Sequence, residues 1–245
     1  GSTSWLWVGI IGLLVGFVGG FTIALPVYGI LIYPFWHFLV FIYVIGITFI
    51  ILRTSFLGIR IALVQLLPFA IVSSLVVFIS SIFLLKLNFF SSTGLALGLT
   101  SSLLAYIIFA YAHNRTHFVW ALFNVSVAFW GFSAFFIGRC FDPQKALFLW
   151  RIALVGVIFI SILFYHVCCL LCKVERKKIL FFAYFQGLFF LTLNSFGFYI
   201  SKPFLFQESF YYFKAEFFYA TSFIIWIILI LLGLYELVRR YLRSV

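Results

Sequence analysis

The chain has 245 residues, of which 66% are hydrophobic and 9% are Asp, Glu, Lys or Arg. A soluble domain carries about 25% charged residues, so this chain has too little charge to cover a water-facing surface. The formal charge of +11 comes from basic residues at the ends of apolar runs, which is typical of membrane topology and not of nucleic-acid binding. The composition indicates an all-α polytopic membrane protein and excludes a soluble enzyme, a disordered chain and a disulfide-stabilised scaffold.

Continuous apolar runs bounded by charges, prolines or polar clusters predict about eight transmembrane helices in the lipid bilayer and no soluble domain. The predicted spans cover residues 5–25, 35–52, 61–85, 91–112, 117–138, 146–172, 179–200 and 217–238. The stretch 201–216 between the last two spans is strongly aromatic. We expect this stretch to lie on the membrane surface or to fold over the helix bundle.

The Lys and Arg residues of the loops predict the orientation of the chain. Ten of them fall in one set of alternate loops, including Arg239 and Arg240 after the last span, and five fall in the other set. The positive-inside rule assigns the richer set to the cytoplasm. With eight spans, both termini are then expected to be cytoplasmic.

Small residues recur at a spacing of four in two of the predicted spans, where they let another helix approach closely. The first span contains Gly12, Gly16 and Gly20, and the fourth contains Gly94, Gly98 and Ser102. We interpret both stripes as packing seams inside the protein, with a dimer interface as the alternative.

The sequence contains no catalytic motif such as His-Glu-x-x-His or Gly-x-Ser-x-Gly. Four of the five acidic residues lie in loops or at span edges, and the fifth, Glu236, lies in the last turns of the eighth span. We expect Glu236 to pair with Arg240 four residues later. We therefore predict that the chain is not an enzyme and has no cofactor.

A cluster of His and Cys residues lies near the cytoplasmic end of the sixth span. On a helix, His166 and Cys169 share one face, as do Cys168 and Cys172. His166, Cys169 and Cys172 are weak candidates for a Zn or Cu(I) site, because one helix cannot surround a tetrahedral ion by itself. The alternatives are inert packing, with His166 hydrogen-bonded to a neighbouring helix, and acylation or oxidation of the cysteines.

Polar and aromatic residues near the outer face are the candidate ligand contacts. Asn194 lies in the outer half of the seventh span, and Arg151 lies about one turn inside the sixth, from where its side chain can reach the interface. The full candidate set is Trp130, Arg151, Asn194, Phe210, Tyr211 and Tyr212.

The last span continues without a Gly or Pro stop into Glu236, Arg239 and Arg240, so we expect one helix to extend into the cytoplasm. Such a helix can transmit a rotation or piston movement to a downstream element. The alternative is a simple basic anchor on anionic lipid.

Residues 91–245 contain a series of aromatic and small-residue motifs at helical spacing. The motifs are Asn-Arg-Thr-His-Phe at 114–118, Asn-Val-Ser-Val-Ala-Phe-Trp-Gly-Phe at 124–132, Lys-Ala-Leu-Phe-Leu-Trp-Arg-Ile at 145–152 and Leu-Tyr-Glu-Leu-Val-Arg-Arg-Tyr at 234–241. They resemble the N-terminal multi-helix sensor region of bacterial histidine kinases, which is usually counted as seven transmembrane helices. The resemblance divides the chain into residues 1–90, with about three helices, and a sensor-like bundle of about five helices over 91–245.

The resemblance implies a sensory role in two-component signalling at the bacterial inner membrane. The expected ligand is a small apolar or lipid-like molecule, and the expected output is a movement of the C-terminal helix. Two other functions stay open. One is a non-catalytic subunit of a larger membrane complex, with a homodimer or other membrane subunits as partners, and the other is a transporter or channel.

Overall fold

The structure is a computed structural model that describes residues 60–110 and 114–243, together with residues 14–16, 18–22, 24–30, 32, 39–40 and 44. Most of the predicted spans 5–25 and 35–52 lies outside the described residues, as does Gly12. The described part of residues 1–59 includes a 3-10 helix at Leu25–Tyr28 that ends at Gly29 in a left-handed conformation.

The described residues are mostly helical, with a small two-stranded sheet near the C-terminal end. In chain order the elements are α1 (Arg60–Phe83), α2 (Phe89–Ala110), α3 (Arg115–Ile137), α4 (Pro143–Cys172), α5 (Lys177–Ser195), β1 (Ile200–Phe206), β2 (Phe210–Ala215) and α6 (Phe217–Leu242).

Four helices among the described residues are long and apolar enough to cross a membrane, namely α2, α3, α4 and α6 over Phe217–Arg240. They match the predicted spans 91–112, 117–138, 146–172 and 217–238. The predicted spans 61–85 and 179–200 correspond to the helices α1 and α5, and their crossing of a membrane stays a prediction.

Local sequence signals explain where two of the long helices begin. Asn114 caps α3 by accepting a hydrogen bond from the backbone N–H of His117 at 3.0 Å. Asp142 caps α4 by accepting from the N–H groups of Gln144 and Lys145, and Pro143 occupies the first turn. Both caps satisfy N–H groups that have no partner inside the helix.

Glycines set the close approach of α2 to α3. A Cβ atom built on Gly131 would lie 2.4 Å from the backbone nitrogen of Gly98 and 2.9 Å from the carbonyl oxygen of Gly94. The stripe at Gly94 and Gly98 is therefore a packing seam inside the protein, as predicted. On its other side α3 packs on α4, where Gly156 lies against the carbonyl of Ser126. The helix α4 also contacts α5, α6 and both strands.

The aromatic stretch 201–216 forms an antiparallel hairpin, so the all-α assignment is wrong at this segment. Ile200 pairs with Ala215 and Phe206 with Phe210, with an irregularity in register between Ser201 and Pro203. Alternate aromatic side chains give such a segment strand character, and proline, which lacks an N–H group, is tolerated at an irregular position of an edge strand. The hairpin packs against α4, which confirms that the stretch folds over the bundle.

Candidate ligand-binding cavity

A cavity of about 110 Å³ lies between α3, α4, α6 and the hairpin. Trp130 of α3, Trp150 of α4, Tyr212 of β2 and Trp226 of α6 are among its walls. Described residues of the N-terminal part, including Gly20, also border it. None of the described lining residues is charged, and most are aromatic or aliphatic. Such a site favours an apolar ligand, because burying a charge without a partner is strongly unfavourable.

The aromatic walls are fixed by contacts between α4 and the hairpin. The indole N–H of Trp150 donates a hydrogen bond of 2.8 Å to the carbonyl oxygen of Tyr211. The ring of Trp150 lies 4.5 Å from that of Tyr212 and 5.6 Å from that of Trp130, centroid to centroid. Burial raises the pKa of the Tyr212 hydroxyl, so this wall stays neutral. The hairpin thus holds this end of the cavity in place.

A second, smaller cavity of about 20 Å³ lies beside the first, between α4, α5 and α6. The two cavities share Val157, Tyr219, Phe223 and Trp226 as lining residues. The smaller one has a polar wall made of four buried side chains, and these are Ser161, Gln186, Tyr199 and Ser222. The combined space therefore has a large apolar part and a small polar part.

The six predicted ligand contacts fall into four groups, of which the pair Arg151 and Asn194 lies apart from the cavities. Trp130 and Tyr212 line the large cavity. Phe210 lies in the core beside it, where its ring stacks on Phe90 at 4.3 Å. Tyr211 contributes its backbone carbonyl to Trp150, and its side chain is half-buried.

Arg151 and Asn194 form a separate polar contact at the C-terminal end of α5. The side-chain amide of Asn194 donates a hydrogen bond of 2.8 Å to the backbone oxygen of Arg151. The guanidinium of Arg151 lies over Gly197, where a Cβ atom would be 3.0 Å from Nη2. Neither residue is among the described lining residues of the two cavities, so this contact joins α4 to α5 and does not contribute to the cavity wall.

At the opposite end of α6, Glu236 bonds to Arg176 and not to Arg240 as predicted. A guanidinium nitrogen of Arg176 lies 2.7 Å from Glu236 Oε1, and the hydrogen bond to Glu236 raises the pKa of Arg176. The turn between α4 and α5 brings Arg176 to Glu236, whose buried carboxylate requires a counter-charge. Arg240 instead donates to the carbonyl oxygen of Leu171 in α4.

Cys172 and Arg239 also lie at this end of the bundle. The thiol of Cys172 donates a hydrogen bond of 3.4 Å to the backbone oxygen of Glu236. Arg239 is half-buried and takes part in neither of the two ion pairs found among the described residues. The contacts of Cys172, Arg176 and Arg240 together tie the end of α6 to α4 and to the start of α5.

The His and Cys cluster is packed inside the described part of the bundle. His166 Nδ1 and the hydroxyl of Tyr184 are 2.8 Å apart, which confirms the hydrogen bond to a neighbouring helix. Cys168, Cys169 and Cys172 are free and buried. Among the described residues no three His, Cys, Asp or Glu side chains are placed to hold a metal ion, so His166, Cys169 and Cys172 do not form a metal site there.

Comparison of the chain with protein-family models, with curated proteins and with solved structures finds no match.

Proposed function

We propose that this chain is the membrane-embedded sensory region of a signalling protein. A small apolar or lipid-like molecule binds in the aromatic cavity, and α6 relays its presence. The observation that carries the proposal is the position of α6. Tyr219, Phe223 and Trp226 of this helix line the cavity, while its other end is tied to α4 and α5 through Glu236 and Arg240.

A ligand can change the output only if it binds one arrangement of α6 more tightly than another. A molecule in the cavity contacts α6 directly, so a shift or rotation of this helix changes the ligand contacts. The same movement changes the distance between Glu236 and Arg176 at the other end. The ion pair between Glu236 and Arg176 is thus the contact that forms or breaks according to whether the ligand is bound.

The proposed topology has about eight spans, with the C-terminus in the cytoplasm of a bacterial cell and the chain in the inner membrane. The basic residues support this orientation. Lys173 follows α4, Arg239 and Arg240 end α6, and the bond from Arg240 to Leu171 brings these two helix ends together. A common basic face is typical of the cytoplasmic side.

The test is mass spectrometry of small molecules extracted from the protein after purification in native lipid. Leu154, which is 2% exposed, lines the cavity, and Leu154→Phe fills part of that space. Leu188→Phe on the exposed face of α5 is the matched control. We expect a bound molecule in the wild type and in the control, and much less of it in Leu154→Phe. Equal amounts in all three proteins would show that the cavity is not the binding site.

A second candidate function is a non-catalytic subunit of a membrane complex. One face of α5 exposes a row of large apolar side chains, with Phe181 75% and Phe185 61% exposed. Such a surface is suited to packing against other helices, including those of a second copy, as well as against lipid. Intact-mass measurement of the purified particle separates the two functions, since a defined set of other subunits favours the complex and a monomer or homodimer with a small molecule favours the sensor.

A further inference from the structure

We infer that the ligand is a small neutral molecule with a ring-sized apolar body and one hydroxyl group, and that the hydroxyl occupies the smaller cavity. This inference rests on the proposed function and narrows the class of ligand. The observation behind it is that a large apolar cavity and a small polar cavity share four lining residues.

The volumes limit the size of each part of the ligand. The large cavity has about 110 Å³, somewhat less than an engineered apolar protein cavity of about 150 Å³ that binds benzene. The smaller one has about 20 Å³, and a single water-sized group needs at least about 10–15 Å³. The space therefore fits one ring or a short aliphatic body, together with one hydroxyl-sized group.

The hydrogen bonds of the polar wall determine what that group must offer. The hydroxyl of Ser222 donates to the carbonyl oxygen of Tyr219 at 2.9 Å, so in the bond between Tyr199 and Ser222 the phenol of Tyr199 is the donor. Both of these protons are used, and the oxygens of Tyr199 and Ser222 can only accept a further bond.

Gln186 adds a third acceptor to the same wall. Its side-chain nitrogen donates to the carbonyl oxygen of Ala183 at 3.0 Å, and its Oε1 accepts no bond from the described residues. Gln186 is only 8% exposed, and Ser161 on the facing helix is 1% exposed. The wall therefore offers acceptor oxygens together with two donors, the second N–H group of Gln186 and the hydroxyl of Ser161, so a hydroxyl group, which both donates and accepts, can complete the site.

The absence of charge among the described lining residues excludes an ionic headgroup at this position. A carboxylate or phosphate would meet no cation, and an ammonium would meet no carboxylate. Either charge would lose its hydration without compensation. A neutral alcohol or phenol meets the requirements of both cavities.

The test compares p-cresol, p-xylene and benzoate as ligands of the protein in lipid discs, with tryptophan fluorescence as the readout. Trp130, Trp150 and Trp226 line the large cavity and report its occupation. The same titration on Leu154→Phe gives the baseline for partition of each compound into the lipid. We expect p-cresol to bind about fivefold to tenfold more tightly than p-xylene, as one buried hydrogen bond allows, and benzoate to bind most weakly.

Gln186→Leu keeps the size of the side chain and removes the acceptor. We expect it to abolish the preference for p-cresol while p-xylene still binds, which also shows that the variant is folded. Thr192→Val on the exposed side of the same helix is the matched control and should keep the preference. Ser161→Ala is a second variant of the polar wall, and we expect it to reduce the preference.

The outcomes distinguish this inference from the proposed function. Three results would overturn the hydroxyl site and leave the aromatic cavity as a ligand site. They are equal binding of p-cresol and p-xylene, a preference for p-cresol that survives both Gln186→Leu and Ser161→Ala, and tightest binding of benzoate. Binding of none of the three compounds above the Leu154→Phe baseline would overturn the inference and count against the proposed function as well.

Discussion

Replacing Gly131 with alanine would place a methyl group inside the backbone of the neighbouring helix. The Cβ atom would lie 2.4 Å from the nitrogen and 2.7 Å from the Cα atom of Gly98, and 2.9 Å from the oxygen of Gly94. Non-bonded heavy atoms prefer separations of about 3.5–4.0 Å. All three neighbours are backbone atoms, so no rotamer change relieves the overlap and α2 must move away from α3 by about 1 Å.

Two opposing effects determine how much Gly131→Ala changes the free energy of unfolding. Alanine is favoured over glycine in a helix interior by about 0.8–1.0 kcal/mol. Overpacking a core costs about 1–3 kcal/mol, and the rigid backbone at Gly98 places this site at the upper end of that range. We therefore expect Gly131→Ala to lower the free energy of unfolding by about 2 kcal/mol.

The assay is reversible unfolding in mixed micelles, with Gly20→Ala as the control. At Gly20 the added Cβ atom would lie 3.7 Å from the Trp226 ring, an ordinary contact with a side chain. We expect this variant to be as stable as the wild type or slightly more stable. If Gly131→Ala proved as stable as the control, the packing seam between α2 and α3 would be refuted.

Three further predictions concern the contacts around the cavity and at the helix ends. Trp150→Phe leaves the carbonyl of Tyr211 without its partner, so we expect a loss of about 1–3 kcal/mol and faster amide exchange in the hairpin; unchanged exchange would contradict the role of this bond. Glu236→Gln and Arg176→Gln should each lower the melting temperature, and the double variant should be no worse than Glu236→Gln alone; additive losses would show that the two residues are not coupled. The N–H groups that bond to Asp142 lower the pKa of its carboxyl, so the cap stabilises α4 above the ordinary pKa of the group and is lost as the pH falls through the lowered value. The protection of amides in the first turn of α4, relative to their intrinsic exchange rate at each pH, should therefore decrease in acid for the wild type and stay constant for Asp142→Asn, and identical protection profiles would refute the charged cap.

The helices were predictable because each one coincides with a continuous apolar run. The runs at 91–112, 117–138, 146–172 and 217–238 correspond to helices in the structure that are long and apolar enough to cross a membrane. The seam at Gly94 and Gly98 was predictable for a similar reason, since a spacing of four places both glycines on one helix face.

The hairpin and the partner of Glu236 were not predictable in the same way. Aromatic residues such as Tyr211 and Tyr212 suit a membrane surface as well as a strand, and only their pairing with residues of β1 distinguishes the two. Arg240 is close to Glu236 in sequence, but Arg176 reaches it through the turn between α4 and α5. Sequence spacing shows which residues share one helix face, but it does not identify the residue of another helix that contacts that face.

The cavity was predicted only in part. Trp130 and Tyr212, which line the large cavity, were among the candidates, whereas Trp150, Gln186 and Trp226, which also line the cavities, were not. These residues come from helices far apart in sequence, and their convergence depends on the packing of α4 against α3, α5 and α6. The Trp residues within apolar spans were the sequence signal that could have pointed to the cavity walls. A buried indole requires a partner for its N–H group, so a Trp in such a span indicates a contact with another element.

The most direct test of the relay through α6 is amide hydrogen exchange of the protein in lipid discs, with and without saturating p-cresol. We predict altered protection at residues lining the cavity and also around Arg176 and Glu236 at the other end of α6, with both changes absent in Leu154→Phe. Altered protection at the cavity alone, with no change around Arg176 and Glu236, would contradict the relay.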